Sequence, residues 1–387
     1  MKRFYVYRIF TLNHFMTAVY VIYLRSLGCS FVSIAAFHTA KDLTVMGLEI
    51  PLSYLSEKIG YKFVLVLLGI FMTLSMLPMM GTTNRALLFL SFICWGIAVS
   101  CDSGISDAYL YEQVGEQRYP IVQSNTLMWR QLVGSAFKLM GSMVYSIFHL
   151  LPFLLTLINS LISTGTALSF KQIKVKQTPR KVSFKQFKGT VLSPTYLAVV
   201  FHSVCLITFL SLTFTYESVL LVDQGLDANY LGVVTCLKLM VSSFGVHLVK
   251  KFVSIKNSSN FYLWLYVIST VAILGLGSRA SILVISLSLL VISVVNGVMF
   301  PYRSILLNKV IQDNRATLLS IQSQGQFFMR AVLSLGMSWI ANLVSPSFAM
   351  VGLAGLTLSS ILIMRGCFYP VMRTVDEWNE NKVKSVA

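Results

Sequence analysis

The sequence of 387 residues contains little charge: Asp, Glu, Lys and Arg make up 12% of it, whereas hydrophobic residues make up 56%. Soluble domains carry roughly twice that charged fraction, so this chain has too few polar residues to cover soluble surfaces. Acids are the scarcest group, with 14 Asp+Glu against 31 Lys+Arg. Because most cations fall in short segments between apolar runs, we interpret the excess as membrane topology and expect no nucleic-acid binding.

The sequence also lacks the patterns that hold metals or nucleotides. The six cysteines stand singly without a CxxC pair, and the five histidines lie on different segments without ligand spacing. A Walker A glycine loop is absent, and no grouping of His with Asp or Ser marks a catalytic centre. We therefore expect no metal, no cofactor and no enzymatic activity.

Long apolar runs dominate the chain. A helix needs about 20 apolar residues to cross a bilayer, and helices satisfy their own backbone groups there. Twelve runs of this kind predict an all-α membrane protein with twelve transmembrane helices in two six-helix bundles. The predicted spans lie near Tyr5–Leu24, Phe31–Ser56, Tyr61–Gly81, Arg85–Leu110, Ile121–Tyr145, Phe148–Leu168, Pro194–Val222, Ala228–Lys250, Asn260–Leu276, Ala280–Pro301, Thr317–Leu343 and Phe348–Cys367.

A basic segment separates the sixth and seventh spans. It is rich in lysine and contains no acid between Ser169 and Thr190, so the positive-inside rule places it in the cytoplasm. The cations near the start of the chain, Lys2, Arg3 and Arg8, and those after the last run place both termini there too. We predict an N-terminal bundle at 1–168, a basic linker at 169–192, a C-terminal bundle at 193–368 and a cytoplasmic tail at 369–387.

The two halves of the chain share features at a constant spacing. Gly28 and Gly225 each follow the first span of their half, and 225 minus 28 gives an offset of 197 residues. The same offset relates Lys41 to Lys238 and Arg118 to Arg315. These matches favour a duplicated six-helix unit, as in transporters built from repeats.

The segment from Glu49 to Lys62 reads Glu-Ile-Pro-Leu-Ser-Tyr-Leu-Ser-Glu-Lys-Ile-Gly-Tyr-Lys. It resembles the loop between helices two and three of the major facilitator superfamily, most closely a bacterial efflux branch with Glu-Ile-Pro followed by Gly-x-Lys. Two further segments agree with that branch: Ser103–Glu112, with Asp107 before Ala and Tyr, and the Arg315-Ala-Thr stretch.

In that superfamily the acid of this loop helps to hold the cytoplasmic side closed. The resemblance implies this role for Glu57, with Gly60 and Lys62 at matching positions. Asp107, Arg118 and Arg315 lie near the predicted inner surface, where we expect ion pairs of the same cytoplasmic gate.

Ionisable residues inside the predicted spans are the best candidates for a transport pathway, because each costs about 3 kcal/mol in a bilayer unless it faces a cavity or a partner. On the second span, His38, Asp42, Glu49 and Ser53 are spaced 4, 7 and 4 residues apart and share one face. The resemblance implies that the charged spans line the central path. We predict a substrate and proton pathway that includes Lys41, Asp42, Glu49, Arg130, Lys138, Glu217, Lys238 and Arg330.

Two interpretations of these charges remain open. Lys41 with Asp42, and Arg130 with an acid on the fourth span, are equally well explained as neutralised structural pairs. For proton coupling, Asp42 and Glu49 are best placed by depth, and Glu217 comes next.

The sequence therefore predicts a secondary transporter that exports a small organic molecule in exchange for protons, by alternating access. An importer of a small solute, and a transporter-like sensor or scaffold without flux, are the alternatives. The expected partners are a small-molecule substrate, H⁺ and the lipid bilayer of the cell membrane, and the expected state is a monomer.

Overall fold

The computed structural model describes residues 2–102, 104–115, 117–172, 193–252, 258–310 and 315–363. Every regular element in those ranges is a helix, which confirms the predicted all-α class. The first half contains α1 (Lys2–Phe10), α2 (Tyr20–Ser26), α3 (Phe31–Ile59), α4 (Tyr61–Met79), α5 (Arg85–Asp102), α6 (Ile105–Val114), α7 (Tyr119–Ile147) and α8 (Leu151–Leu168). The second half contains α9 (Pro194–Asp223), α10 (Leu231–Phe252), α11 (Ser258–Gly277), α12 (Ile282–Val310), α13 (Arg315–Leu343) and α14 (Pro346–Ile363).

Helical residues overlap each of the twelve predicted spans. Among the described residues, eight stretches are long and apolar enough to cross a membrane. The other four predicted spans are the first, which is divided into short pieces, and those of α3, α7 and α13. The polar stripes of α3, α7 and α13 lower their hydropathy, so for these spans a membrane-crossing role remains a prediction.

Local sequence signals define several helix ends. The side chains of Ser30 and Ser193 cap α3 and α9 by accepting hydrogen bonds from the backbone N–H groups of Ser33 and Tyr196. Gly60 ends α3 at a φ of 97°, a conformation that glycine adopts without steric cost. The chain can therefore turn directly from α3 into α4.

Internal contacts divide the chain into two compact units. The first contains Met1–Pro179 with Leu226–Cys236, and the second contains Arg180–Gly225 with Leu237–Ala387. In the first unit, α5 packs against α3 and α4, and α4 also packs against α8. In the second unit, α9 packs against α12 and α13, and α11 packs against α14. Most of the predicted linker at 169–192 and the whole tail at 369–387 lie outside the described residues, so the predicted boundaries stay predictions.

The first predicted span, Tyr5–Leu24, is wrong as a continuous helix. Helix α1 ends at Phe10, a 3₁₀ turn covers Phe15–Ala18, and α2 begins only at Tyr20. Leu12, between these pieces, has a φ of 55°, which no regular right-handed helix contains.

Side chains of α8 satisfy the backbone groups that this break exposes. Thr156 Oγ1 accepts a hydrogen bond from the Phe15 N–H at 3.1 Å, and Asn159 Nδ2 donates to the carbonyl oxygens of Phe10, at 3.0 Å, and of Asn13. Thr156 and Asn159 lie three residues apart, on one face of α8. Irregular backbone is tolerated at membrane depth where protein groups satisfy it.

The irregular segment of the first span also packs closely against α7. A Cβ atom added to Gly141 would collide with the Phe15 carbonyl, and one added to Gly134 would collide with the Asn13 side chain. These two glycines of α7 therefore allow close packing against the first span.

The repeat predicted from the sequence has counterparts in the helix boundaries. Gly28 and Gly225 both have positive φ, 77° and 92°. Helices α4 and α5 begin at Tyr61 and Arg85, and α11 and α12 begin 197 residues later, at Ser258 and Ile282.

Candidate functional site

Four charged side chains meet within the first unit: Arg8, Asp102, Asp107 and Arg130, called here the charged cluster. Arg8 Nη1 lies 3.4 Å from Asp102 Oδ1, and Arg8 Nη2 lies 2.7 Å from Asp107 Oδ1. Arg130 Nη1 lies 3.6 Å from Asp102 Oδ2. Asp102 is therefore shared by two arginines that come from α1 and α7.

An interruption in the fourth span presents both acids. Helix α5 ends at Asp102, Gly104 has a φ of 72°, and α6 begins at Ile105. Asp107 then lies in the first turn of α6, where the helix dipole favours a negative charge. The predicted span Arg85–Leu110 lies within one stretch long and apolar enough to cross a membrane, Arg85–Val114, and the left-handed Gly104 changes the direction of its backbone.

Neutral donors complete the coordination of the two acids. Ser106 Oγ donates to Asp102 Oδ1 at 2.5 Å, and Gln123 Nε2 donates to Asp107 Oδ1 at 2.7 Å. The Arg8 side chain is only 4% exposed. Two cations and two anions balance within the cluster, which compensates for the cost of removing these charges from water.

A second polar group surrounds Trp95 of α5, two helical turns before Asp102. Lys41 Nζ lies 5.0 Å from the centre of the Trp95 ring and 3.7 Å from Asp42 Oδ1. Asp42 is buried, with 2% of its surface exposed. Tyr20 and His38 share a hydrogen bond of 3.0 Å between the phenol oxygen and the imidazole Nε2, and the Tyr20 ring packs edge-on against Trp95.

The second unit contains an ion pair of its own. Lys238 of α10 contacts Glu217 of α9, and the Lys238 ammonium lies 4.3 Å from the centre of the Phe214 ring. In the same unit Arg303 Nη1 donates to Gln326 Oε1 at 3.3 Å, and the Arg330 guanidinium lies 5.3 Å from the Phe327 ring centre.

The structure brings several predicted site residues together. Arg130 and Asp107 join the charged cluster, Lys41 pairs with Asp42, and Glu217 pairs with Lys238. Glu49 and Lys138 are half-buried on α3 and α7.

The residues predicted for the cytoplasmic gate are only partly described. Gly60 lies in the turn between α3 and α4, Lys62 is half-buried in the first turn of α4, and Arg118 is exposed at the start of α7. The backbones of Glu57 and Arg315 are helical, but their side chains lie outside the described residues. Their pairing in a gate stays a prediction.

The central position of Arg8 does not follow from the sequence, because this residue also fits the group of cations at the predicted cytoplasmic start of the chain. The structure buries it between Asp102 and Asp107. One signal was available: Arg8 falls inside the apolar run that begins at Tyr5, where an ionised side chain needs a partner.

Among the described residues, no group of three or more His, Cys, Asp or Glu side chains could hold a metal ion.

Neither a protein-family model nor a curated protein matches this chain. Solved transporter structures match its fold over almost the whole length. A POT family transporter in complex with 5-aminolevulinic acid gives a TM-score of 0.77 at 12% identity and covers 96% of both chains. The nucleoside transporter NupG gives 0.72 at 13% identity, covering 95% of this chain and 96% of its own. A D-xylose-proton symporter gives 0.68 at 13% identity, covering 94% and 95%. This chain therefore has the major facilitator fold that its sequence predicted.

Proposed function

We propose that this protein is a secondary transporter that moves a small organic solute across the cell membrane by alternating access, coupled to protons. The observation that carries this proposal is the charged cluster, in which Asp102 is shared by Arg8 and Arg130. A shared carboxylate has alternative partners. Protonation of Asp102 would weaken its contacts with Arg8 and Arg130 at once. It would therefore shift the equilibrium between different arrangements of α1 and α7.

Two other acids are proposed as proton carriers on the basis of their depth. Asp42 and Glu49 lie on α3, with Asp42 beside Lys41 and Glu49 two turns further along the helix. Glu217, paired with Lys238, is the third candidate. Each of these acids lies in a predicted span. A bound proton neutralises the carboxylate and so lowers the free-energy cost of moving it from a hydrated to a dry environment.

The substrate class that fits these side chains carries both signs of charge. Cations and acids occur in pairs in both units, so a solute with one amine and one carboxylate can replace either partner. The POT family neighbour binds a molecule of this type, 5-aminolevulinic acid, in its solved complex. This agreement motivates the choice of that compound as the first probe.

Export is the proposed direction, because the Glu-Ile-Pro and Gly-x-Lys segment resembles an efflux branch. Import is the second candidate, and the solved neighbour described as a D-xylose-proton symporter favours it. Both directions use the same fold and the same charge pairs. The cytoplasmic location of both termini, the gate role of Glu57, Gly60, Lys62, Asp107, Arg118 and Arg315, and the monomeric state belong to this proposal.

Reconstituted vesicles test coupling and direction together. The full chain is inserted into liposomes loaded with buffer, and a pH gradient of either sign is imposed in the presence of radiolabelled 5-aminolevulinic acid, with uridine as a second probe. Proton exchange drives solute into vesicles with an acidic lumen, whereas symport drives it inward when the outside is acidic. The sign of the effective gradient thus distinguishes the two mechanisms whichever way the protein is inserted.

Accumulation under one gradient, abolished by an ionophore that collapses it, supports the proposal. Absence of accumulation under both gradients, with protein shown to be folded, contradicts transport of these probes and favours a sensor or scaffold. Asp42→Asn and Glu49→Gln, tested separately, are expected to remove the response to the gradient for whichever acid carries the proton. Glu112→Gln, at an exposed position of α6, is the matched control.

A further inference from the structure

A line of buried hydroxyl groups leads away from the charged cluster toward the break in the first span. Tyr7, Thr11, Ser106 and Ser163 are each no more than 1% exposed. Buried hydroxyls are costly unless they are hydrogen-bonded. In the charged cluster Ser106 is a donor to Asp102, and the other three residues have no role in the pathway proposed above, so their common position needs a separate explanation.

The line begins at Asp102. Ser106 Oγ bonds Asp102 Oδ1 at 2.5 Å. The Tyr7 hydroxyl has Ser106 and Thr11 as its polar neighbours, with Asp102 and Arg8 as the nearby charges. In the described part of the chain this hydroxyl completes no hydrogen bond, so contact with either neighbour requires a small side-chain movement.

From Tyr7 the line continues into the break. Thr11 follows Tyr7 by one helical turn, and its N–H donates to the Tyr7 carbonyl at 2.8 Å. Thr11 Oγ1 and Ser163 Oγ lie 2.7 Å apart, and either hydroxyl can be the donor. This reversibility is the property that a proton relay needs, since each oxygen must accept one proton while releasing another.

The line ends at a small cavity behind the first span. Thr11, His14, Asn159, Ser160 and Ser163 contribute to its walls, and it has about 10 Å³ of space, roughly the volume that one water molecule needs. Asn159 is 2% exposed, and its Oδ1 atom has no hydrogen-bond partner among the described residues. A water molecule there can donate to Asn159 Oδ1 and bond one of the hydroxyls.

We propose that Ser106, Tyr7, Thr11, Ser163 and one water molecule in this cavity form a proton relay between Asp102 and His14. The inference rests on the proposed proton-coupled transport and names the route that a proton takes within the first unit.

Each step of the relay conserves protons. A proton on Asp102 passes to Ser106 as Ser106 releases its own proton to Tyr7, and the same exchange continues through Thr11, Ser163 and the water molecule. One proton leaves Asp102 and one arrives at an imidazole nitrogen of His14, while every hydroxyl returns to its neutral form.

Cationic side chains surround both ends of the relay. Arg8 and Arg130 face Asp102, and their attraction favours its ionised form once the proton has left. Lys41, Arg130 and Lys138 lie around His14. Their repulsion disfavours a stored positive charge on the imidazole, which is the last group of the relay.

Two measurements test the relay. The first needs no substrate: an experimental density map of the full chain should show one ordered water within about 3 Å of Asn159 Oδ1. A dry cavity overturns the relay whatever the protein transports.

The second measurement compares flux in the vesicles described above, with 5-aminolevulinic acid as the probe. Tyr7→Phe keeps the aromatic ring and removes the hydroxyl. Thr11→Val keeps the shape of the side chain and also removes its hydroxyl. Both are expected to slow gradient-driven accumulation by about 100-fold or more, the contribution typical of positioned proton-transfer groups. Exchange of labelled for unlabelled solute without a gradient should continue, because it needs no net proton movement.

Two further variants separate the relay from a loss of folding. Thr11→Ser restores the hydroxyl and should restore coupling. Tyr216→Phe removes a buried hydroxyl of the second unit that shares a hydrogen bond of 2.6 Å with Ser338. This variant should leave the coupling of flux to the pH gradient intact. If the unaltered chain ignores the pH gradient, the proposed function is wrong and the relay with it. If the unaltered chain responds and Tyr7→Phe responds equally, the relay alone is wrong.

Discussion

Lys41 and Lys238 occupy the same position in the two halves of the chain, yet they obtain their countercharges differently. Each ammonium lies near an aromatic ring, Trp95 at 5.0 Å and Phe214 at 4.3 Å. Lys41 pairs with Asp42, the next residue on its own helix, whereas Lys238 pairs with Glu217 of the neighbouring helix. The first pair lies within α3, whereas the second connects α9 and α10.

The first unit connects its helices through the charged cluster instead. At the offset of 197 residues, Arg8, Asp102 and Asp107 correspond to Cys205, Met299 and Ser304. The cluster therefore has no counterpart in the second half. The two halves thus share a basic position at this offset, whereas the acids that join helices lie at different positions.

The largest effect is expected from Asp102→Asn, which breaks the cluster at its shared acid. Arg130 would then lose the acid that it contacts, and Arg8 would keep only Asp107. Removing one partner of a buried pair costs about 3–5 kcal/mol, and gradient-driven uptake should be lost as well. Thermal unfolding in detergent and vesicle uptake measure the two effects.

Glu112→Gln, at an exposed position of α6, is the control for this change and should unfold at the temperature of the unaltered protein. Equal melting temperatures for Asp102→Asn and Glu112→Gln would show that the cluster does not hold the first unit together.

A somewhat smaller effect is expected from breaking the pair of the second unit. Glu217→Gln leaves Lys238 buried without its acid, at a cost of about 3 kcal/mol. Adding Lys238→Met removes the remaining charge, so the double variant should regain most of the lost stability. Additive losses in the double variant, measured by the same thermal unfolding, would contradict a direct coupling between the two side chains.

The sequence predicted the contacts that depend on neighbouring residues and missed those that depend on distant ones. Apolar length predicted twelve spans, each of which overlaps helical residues, and adjacency alone suggested the Lys41–Asp42 pair. The break in the first span could not be predicted, because Thr156 and Asn159 satisfy it from more than 140 positions away.

The charged cluster was predictable only in part. The possibility that Arg130 pairs with an acid of the fourth span was recognised, and Asp102 is that acid. The contribution of Arg8 depends on how deep α1 lies against α6, which no local pattern encodes. A cation at the edge of an apolar run can lie at the membrane surface or be buried beside an acid. Only the packing of the helices distinguishes these two positions.

Close packing in the first unit should be sensitive to added volume. Gly141→Ala would force a methyl group against the Phe15 backbone, and overpacking of this kind costs about 1–3 kcal/mol. Gly165→Ala on α8 is the matched control, since nothing lies within 4 Å of the new methyl group. Helix propensity predicts a slight gain there, up to about 1 kcal/mol. Similar destabilisation by both variants would argue against close contact between α7 and the first span.

The smallest effect is expected from neutral hydrogen bonds, which should contribute similar amounts to the stability of the two units. Tyr20→Phe removes the bond to His38 in the first unit, and Tyr216→Phe removes the bond to Ser338 in the second. Each loss should cost about 1 kcal/mol, the usual net contribution of such a bond. If thermal unfolding shows equal small losses here and unequal large losses at Asp102 and Glu217, then the two units differ through their charges. A loss at Tyr20 as large as that at Asp102 would instead make His38 and the Trp95 region the main support of the first unit.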